Sequence, residues 1–138
     1  MPTRAHDDDA GLDLYSREAQ IVPAKESAVF DTGVHIELPL FNVYMEKGVA
    51  QFRTVGFLKS KSGLNVNHGI TSDGTIDMGY TGSIKVKLQN HSGRDYKVNT
   101  GDKISQLVIL PILTPELEIV DELEETERGG NGFGSSGR

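Results

Sequence analysis

Apolar and polar residues alternate along much of this chain. Val34, Ile36 and Leu38 alternate with His35, Glu37 and Pro39, and Ile84, Val86 and Leu88 with Ser83, Lys85, Lys87 and Gln89. Period two predicts strands with one buried face. Val108-Ile109-Leu110-Pro111-Ile112 is a continuous apolar run, which predicts a strand buried on both faces, its proline marking a strand end or an edge. Turn signals punctuate these runs at Asp31-Thr32-Gly33, Glu46-Lys47-Gly48, Ser72-Asp73-Gly74, Asn90-His91-Ser92-Gly93 and Thr100-Gly101-Asp102. Many short strands so spaced predict an all-β sandwich or jelly roll. One segment reads two ways. Thr114-Pro115-Glu116 looks like a helix start, and Leu117, Val120 and Leu123 are spaced for a helical face. Leu117 and Ile119 equally suit a strand, but the pattern leans to helix.

The chain has 138 residues, which favours one domain with a real core. It has no cysteine, which excludes disulfides and thiolate metal sites and makes an intracellular, cytoplasmic setting the default. The N-terminus is polar, with no secretory pattern, and no apolar run approaches a membrane span. A formal charge of −6 argues against a general nucleic-acid surface, though a few local cations can still serve a small phosphorylated ligand. His6, His35, His68 and His91 lack zinc-site spacing and read as structural or surface residues.

Several stretches carry chemistry. The end of the chain, Arg128 to Arg138, is glycine-rich but holds Phe133, Ser135 and Ser136. Such a segment is either an unstructured terminus or a donor-rich strip that closes on a phosphate while its ring stacks on a base. With the preceding Ser72-Asp73, the glycines of Gly74 to Gly82 would make a hairpin with exposed backbone, in which Asp77 sits beside apolar Ile76 and can act as a general base toward water, and Tyr80 can wall a pocket. The alternative is an ordinary turn with a solvated aspartate. Ser60-Lys61-Ser62-Gly63-Leu64 offers a cation, a hydroxyl and a glycine before a short helical turn, or else a plain surface loop. Gln106 stands at the mouth of an apolar strand, facing either a ligand or solvent. Asp7, Asp8, Asp9 and Asp13 form an acidic cluster that either binds Mg²⁺, directly or through water, or is solvated.

Five segments in order resemble the trimeric dUTP pyrophosphatase (dUTPase) family, in its bacterial and phage branch. They are Ala10 to Ser16, Ser60 to Leu64, Gly74 to Gly82, Gly101 to Leu107 and Arg128 to Gly137. The resemblance implies a jelly-roll subunit with the dUTPase-like β-clip, covering 1–127, and a flexible lid over 128–138. It implies a homotrimer with shared active sites, Mg²⁺ as cofactor, and hydrolysis of dUTP to dUMP and pyrophosphate. Under it, Asp77 would activate the attacking water. Backbone around Asp73, Gly74, Thr75 and Ile76 would read the uracil edge, and Tyr80 would exclude a 2′-hydroxyl. Lys61, Ser62, Gly63 and Gln106 would hold phosphates. Arg128, Gly134, Ser135 and Ser136 would close over the γ-phosphate, with Phe133 on the uracil. Asp13 would meet the metal through water or orient a cation. The segment matching Leu117 to Leu123 would be a strand rather than a helix.

The chain departs from that family in three places. Lys61 stands where the family usually has arginine, and an ammonium cannot fork across two oxygens. The family usually has a strand before the segment matching Pro2-Thr3, close to where this sequence begins, so one edge of the jelly roll is expected to be either missing or supplied differently. Leu40 to Thr54 is longer than the family's turn, which makes it an extended hairpin, a trimer contact or a surface for another partner. Two competing functions remain: dCTP deamination, which shares the fold, and a nucleotide-switched binding protein.

Overall fold

The structure is a computed structural model that describes residues 1–126 and 129–130. Its largest sheet orders β1 (Gly11–Tyr15), β10 (Lys103–Ile112), β5 (Gly48–Lys59) and β4 (Phe41–Met45), with β7 (Asp73–Ile76) also paired to β5. A second sheet joins β2 (Gln20–Val22) to β9 (Tyr96–Val98). A third orders β3 (Ser27–Asp31), β8 (Lys85–Asn90) and β6 (Ile70–Thr71). Every pairing is antiparallel. The helix α1 (Ser62–His68) links β5 to β6 and ends at Gly69, whose φ of 66° suits glycine's left-handed freedom.

All three sheets feed one core, which includes Leu14, Val22, Phe30, Leu58, Ile84 and Leu107. Each such side chain stabilises the fold by roughly 1.5–3 kcal/mol relative to exposure. Ile84, Val86 and Leu88 are fully buried while Lys85 and Lys87 are exposed, as the alternation in that run requires. Buried Asn90 is fully satisfied. Its Nδ2 donates to Val22 O at 3.0 Å and Arg94 O at 2.8 Å, and its Oδ1 accepts from the Ser92 amide and hydroxyl.

Four expectations change. The run Val34 to Leu38 keeps its in-out alternation but joins no strand ladder among the described residues; Val34 O accepts from Ile84 N at 2.8 Å, the His35 ring bonds Thr81 O at 2.8 Å, and Leu38 is buried in the core. The run from Val108 is not buried on both faces, since Ile109 and Leu110 are 37% and 45% exposed. Partner β1 reaches only as far as Val108, so Pro111 sits where β10 has become an edge and needs no donor there. The segment from Leu117 to Leu123 is neither helix nor strand: Leu117 and Ile119 are 94% and 99% exposed. Among the described residues no surface covers that apolar stripe, and a short helix without a packing face does not hold in water. Finally, Gly74 to Gly82 is not a self-paired hairpin. β7 pairs with β5, and the chain then turns at Asp77 to Tyr80 into the third sheet.

The long segment from Leu40 to Thr54 does form a hairpin. β4 and β5 pair from Phe41↔Phe52 to Met45↔Gly48 around the Glu46-Lys47 turn. Phe41, Val43, Met45, Ala50 and Phe52 share one face of this ribbon.

Candidate active site

Strand register draws four distant segments onto one line. Asp13 on β1 lies opposite Gln106 on β10, Gln106 opposite Lys59 on β5, and Lys59 opposite Asp73 on β7. Sequence positions 13, 106, 59 and 73 therefore form a transverse row across one sheet. Gly11 makes the row possible, since a Cβ there would fall 2.6 Å from Gln106 Oε1. Gln106 in turn donates from Nε2 to Ser60 O at 3.1 Å, tying the row to the loop that carries Lys61.

Lys61 is the residue that enters α1, with extended backbone at φ −67° and ψ 126°. Ser62 and Gly63 open the helix and are exposed, and nothing lies within 4 Å of where a Gly63 Cβ would be. The first-turn amides of a helix lack intrahelical acceptors, so this open corner offers donors to an anion. Beneath it lies a serine lattice. Ser60 Oγ donates to Ser72 O at 3.0 Å and accepts from Ser72 N at 2.9 Å; Ser72 and Ser105 hydroxyls bond at 2.9 Å; Ser105 Oγ donates to Lys59 O at 3.1 Å.

Asp13 is the charged centre of the row. Its buried carboxylate pairs with Lys61 through one oxygen and with Lys103 at 2.8 Å through the other. Burial pushes its carboxyl up, but hydrogen bonds from Lys103 and Lys61 outweigh that and hold it below the ordinary aspartate value. With both oxygens engaged, Asp13 is no open metal ligand. Among the described residues no group of three or more His, Asp or Glu is placed to hold a metal ion. The donor set does not fit a cation held by the protein alone.

β7 carries the second half of the chemistry. Ile76 is buried, whereas Asp73 and Thr75 point outward and Gly74 packs its Cα against Leu58. One edge of β7 pairs with β5, and among the described residues no strand ladder covers the other. That free edge offers amides and carbonyls to a planar partner. Asp77, exposed just past β7, lines a cavity of about 290 Å³ with Met78, Gly79, Arg53, Thr54 and Thr114. Tyr80 is 43% exposed, and its hydroxyl donates to Ser83 O at 2.8 Å.

The structure thus gathers Asp13, Lys61, Gln106 and Asp73, with Ser62 and Gly63 adjoining. It does not bring Asp77 or Tyr80 to them. Asp77 lies beyond the far end of β7 from the row, about 13 Å along the strand at 3.3 Å per residue. Arg128, Phe133, Gly134, Ser135 and Ser136 lie outside the described residues. Sequence reasoning missed Lys103, Arg53 and the roles of Ser60, Ser72 and Ser105. Lys103 and Ser105 stood inside a recognised motif, but only register reveals what they touch. A separate cavity of about 400 Å³ between His68, His91, Arg94 and Tyr96 lies away from the row.

The protein-family model described as dUTPase matches residues 1–137. The chain belongs to the dUTPase family. Among curated relatives, the deoxyuridine 5′-triphosphate nucleotidohydrolase of Clostridium acetobutylicum is 43% identical over 140 residues, covering 99% of this chain and 88% of that protein. The Clostridium tetani protein of the same name is 42% identical over 138 residues, covering 100% and 89%. Among solved structures, a Staphylococcus bacteriophage 80alpha dUTPase mutant with dUpNHpp superposes with a TM-score of 0.83 at 32% identity, covering 100% of this chain and 92% of that one. A mutant dUTPase from phage phi11 of S. aureus, described as coordinating a structural Mg(II) ion, gives a TM-score of 0.74 at 32% identity, covering 91% and 92%. The family's function is dUTP hydrolysis, and the all-β fold expected for it is the fold found here. No helix among the described residues is long and apolar enough to cross a membrane.

Proposed function

We propose that this chain, as a dUTP diphosphatase, binds the triphosphate at the Lys61 corner and attacks it with a water activated by Asp77. The observation that supports this reading is the transverse row, in which Asp13, Gln106 and Asp73, from three of the motifs, share one line across adjacent strands beside the Lys61 loop. Lys61 Nζ, the Gln106 amide, the Ser62 hydroxyl and the amides around Gly63 hold the phosphate chain. The free edge of β7 from Asp73 to Ile76 pairs with the uracil edge, and Tyr80 closes the space beside C2′ of the sugar. Asp77 takes a proton from water as its oxygen bonds to the α-phosphorus. The bond from that phosphorus to the bridging oxygen breaks in line, releasing dUMP and pyrophosphate. Arg128, Phe133, Gly134, Ser135 and Ser136 complete the enclosure as a lid.

Asp77 stands about 13 Å along β7 from the row that Lys61 adjoins, a wide separation for two groups serving one nucleotide. A homotrimer in which each site takes Asp77 and Tyr80 from one copy and Lys61 from the next resolves this. Mg²⁺ bound with the triphosphate would supply charge neutralisation, and Asp13 would meet it only through water. We place the protein in the cytoplasm and assign it no nucleic-acid or membrane partner. The hairpin face of Phe41, Val43 and Met45 is where a further protein partner of the 40–54 segment would bind.

Two measurements test this. Pyrophosphate release is expected from dUTP and not from dTTP, dCTP or UTP, with no dUTP formed from dCTP; equal turnover of all four would refute the specificity. Inactive Asp77→Asn and Lys61→Met chains, unfolded and refolded together, are expected to regain activity through mixed trimers. No recovery, with trimers formed, would refute the shared site.

A further inference from the structure

Lys103 is a cation that the roles above leave unused. It sits on β10 three residues before Gln106, is 44% exposed, and bonds Asp13 at 2.8 Å. The same carboxylate holds Lys61 through its other oxygen. Asp13 thus has one negative charge divided between two ammonium groups of unequal freedom, since Lys61 is 27% exposed and Lys103 44%.

This arrangement matters because the phosphate-facing cation is a lysine. An ammonium on a flexible stem must be held in place to act, and Asp13 holds it. A carboxylate alone would also oppose the reaction. It would compete with phosphate oxygens for Lys61 and repel the polyanion from a few ångströms away. Lys103 removes both penalties by occupying the second oxygen. The trio then carries a net single positive charge, and Lys61 can turn from carboxylate to phosphate without leaving Asp13 unpaired. The mutual hydrogen bond also raises the ammonium of Lys103 above its ordinary range, so it stays charged at neutral pH.

We propose that Lys103 is a positioning residue for substrate binding: held on Asp13, it neutralises that carboxylate and frees Lys61 for the triphosphate. It acts through Asp13 and need not touch the nucleotide. The proposal rests on the phosphate-binding role given above to Lys61.

The test is a kinetic double-mutant cycle with dUTP. Lys103→Met is expected to raise KM about tenfold, one decade of binding or about 1.4 kcal/mol, with kcat within about twofold of the parent. Lys103→Arg is expected to restore KM. In an Asp13→Asn background, Lys103→Met is expected to change KM less than twofold, because no carboxylate remains to neutralise. A tenfold rise in both backgrounds overturns the proposal in favour of direct phosphate contact. An unchanged KM in Lys103→Met overturns it outright, and a lowered unfolding temperature with unchanged KM assigns Lys103 to stability alone. Absence of dUTP turnover by the parent protein would instead refute the activity and this inference with it.

Discussion

Gly82→Ala tests whether the floor of the proposed sugar pocket is set by backbone geometry. A Cβ on Gly82 would lie 2.6 Å from the Tyr80 hydroxyl oxygen, 2.7 Å from Cζ and 3.0 Å from Cε2. Ordinary contact begins near 3.4 Å, so the ring has to retreat by roughly 0.7 Å. The ring is 43% exposed and free to move outward, which spares the core. Moving costs its 2.8 Å bond to Ser83 O, worth about 1 kcal/mol of stability. Displacing a positioning group by close to 1 Å can cost up to about a hundredfold in rate. Gly82→Ala should therefore lower kcat/KM for dUTP by roughly 10- to 50-fold. Its preference for dUTP over UTP should shrink as the space beside C2′ opens. Gly79→Ala is the control, since a Cβ there meets nothing within 4 Å. Steady-state kinetics with both nucleotides, alongside thermal unfolding, reads out the effect. Parental kcat/KM and parental dUTP:UTP selectivity in Gly82→Ala would refute the role of Tyr80 as the floor.

Further outcomes follow from other parts of the structure. Asp77→Asn should keep its circular dichroism spectrum and lose at least about a hundredfold in kcat, the lower end of the range for a general base; near-parental turnover removes Asp77 from that role. Asn90→Ala should destabilise the fold by about 3 kcal/mol, since it removes the donor to Val22 O and Arg94 O and strands the Ser92 amide around a buried site. Urea unfolding at fixed protein concentration checks it. Hydrogen bonds from the Ser83 hydroxyl and the Gly33 amide hold the Asp31 carboxyl below its ordinary 3.8. Its stabilising contribution is accordingly full above that value and fades as pH falls through the lower folded one. Asp31→Asn should therefore lower stability modestly at neutral pH and flatten the acid limb below about pH 4, the variant and parent curves converging at low pH.

Much of the fold was legible because burial and local period agree where a strand has a packed partner. The run through Ile84, Val86 and Leu88 is the clear case: one face meets the core and the lysines meet water. Where the two part company, the reading failed. Val34 to Leu38 alternates correctly yet lacks a neighbour long enough for a ladder. Ile109 and Leu110 are apolar because of composition, not because this chain encloses them. Leu117 to Leu123 satisfies two periods at once, and among the described residues neither has anything to pack against. At the site, residue types at Lys61, Asp77 and Gln106 were readable from chemistry, as was the match of the motifs to one family. Their grouping was not. That Asp13 meets Lys103, that Ser105 supports Ser72, and that Asp77 stands at the far end of β7 from the row follow from how the strands pair, and register is not carried by any one segment.

The transverse row also bears on how the chain can change in length. Asp13, Gln106, Lys59 and Asp73 face one another only while four strands keep step, and a slip of one residue turns a strand's side chains to the opposite face. An insertion or deletion between Gly56 and Lys59 would break the row on both sides at once, since β10 and β7 read their positions from that stretch. The outer end of β5 is under no such restraint, because residues 48–52 pair only with β4. Adding matched residues to both arms lengthens that ribbon without disturbing a single partner of the row. Variation in length is thereby steered to the hairpin, and the nucleotide corner stays in register however far the ribbon grows.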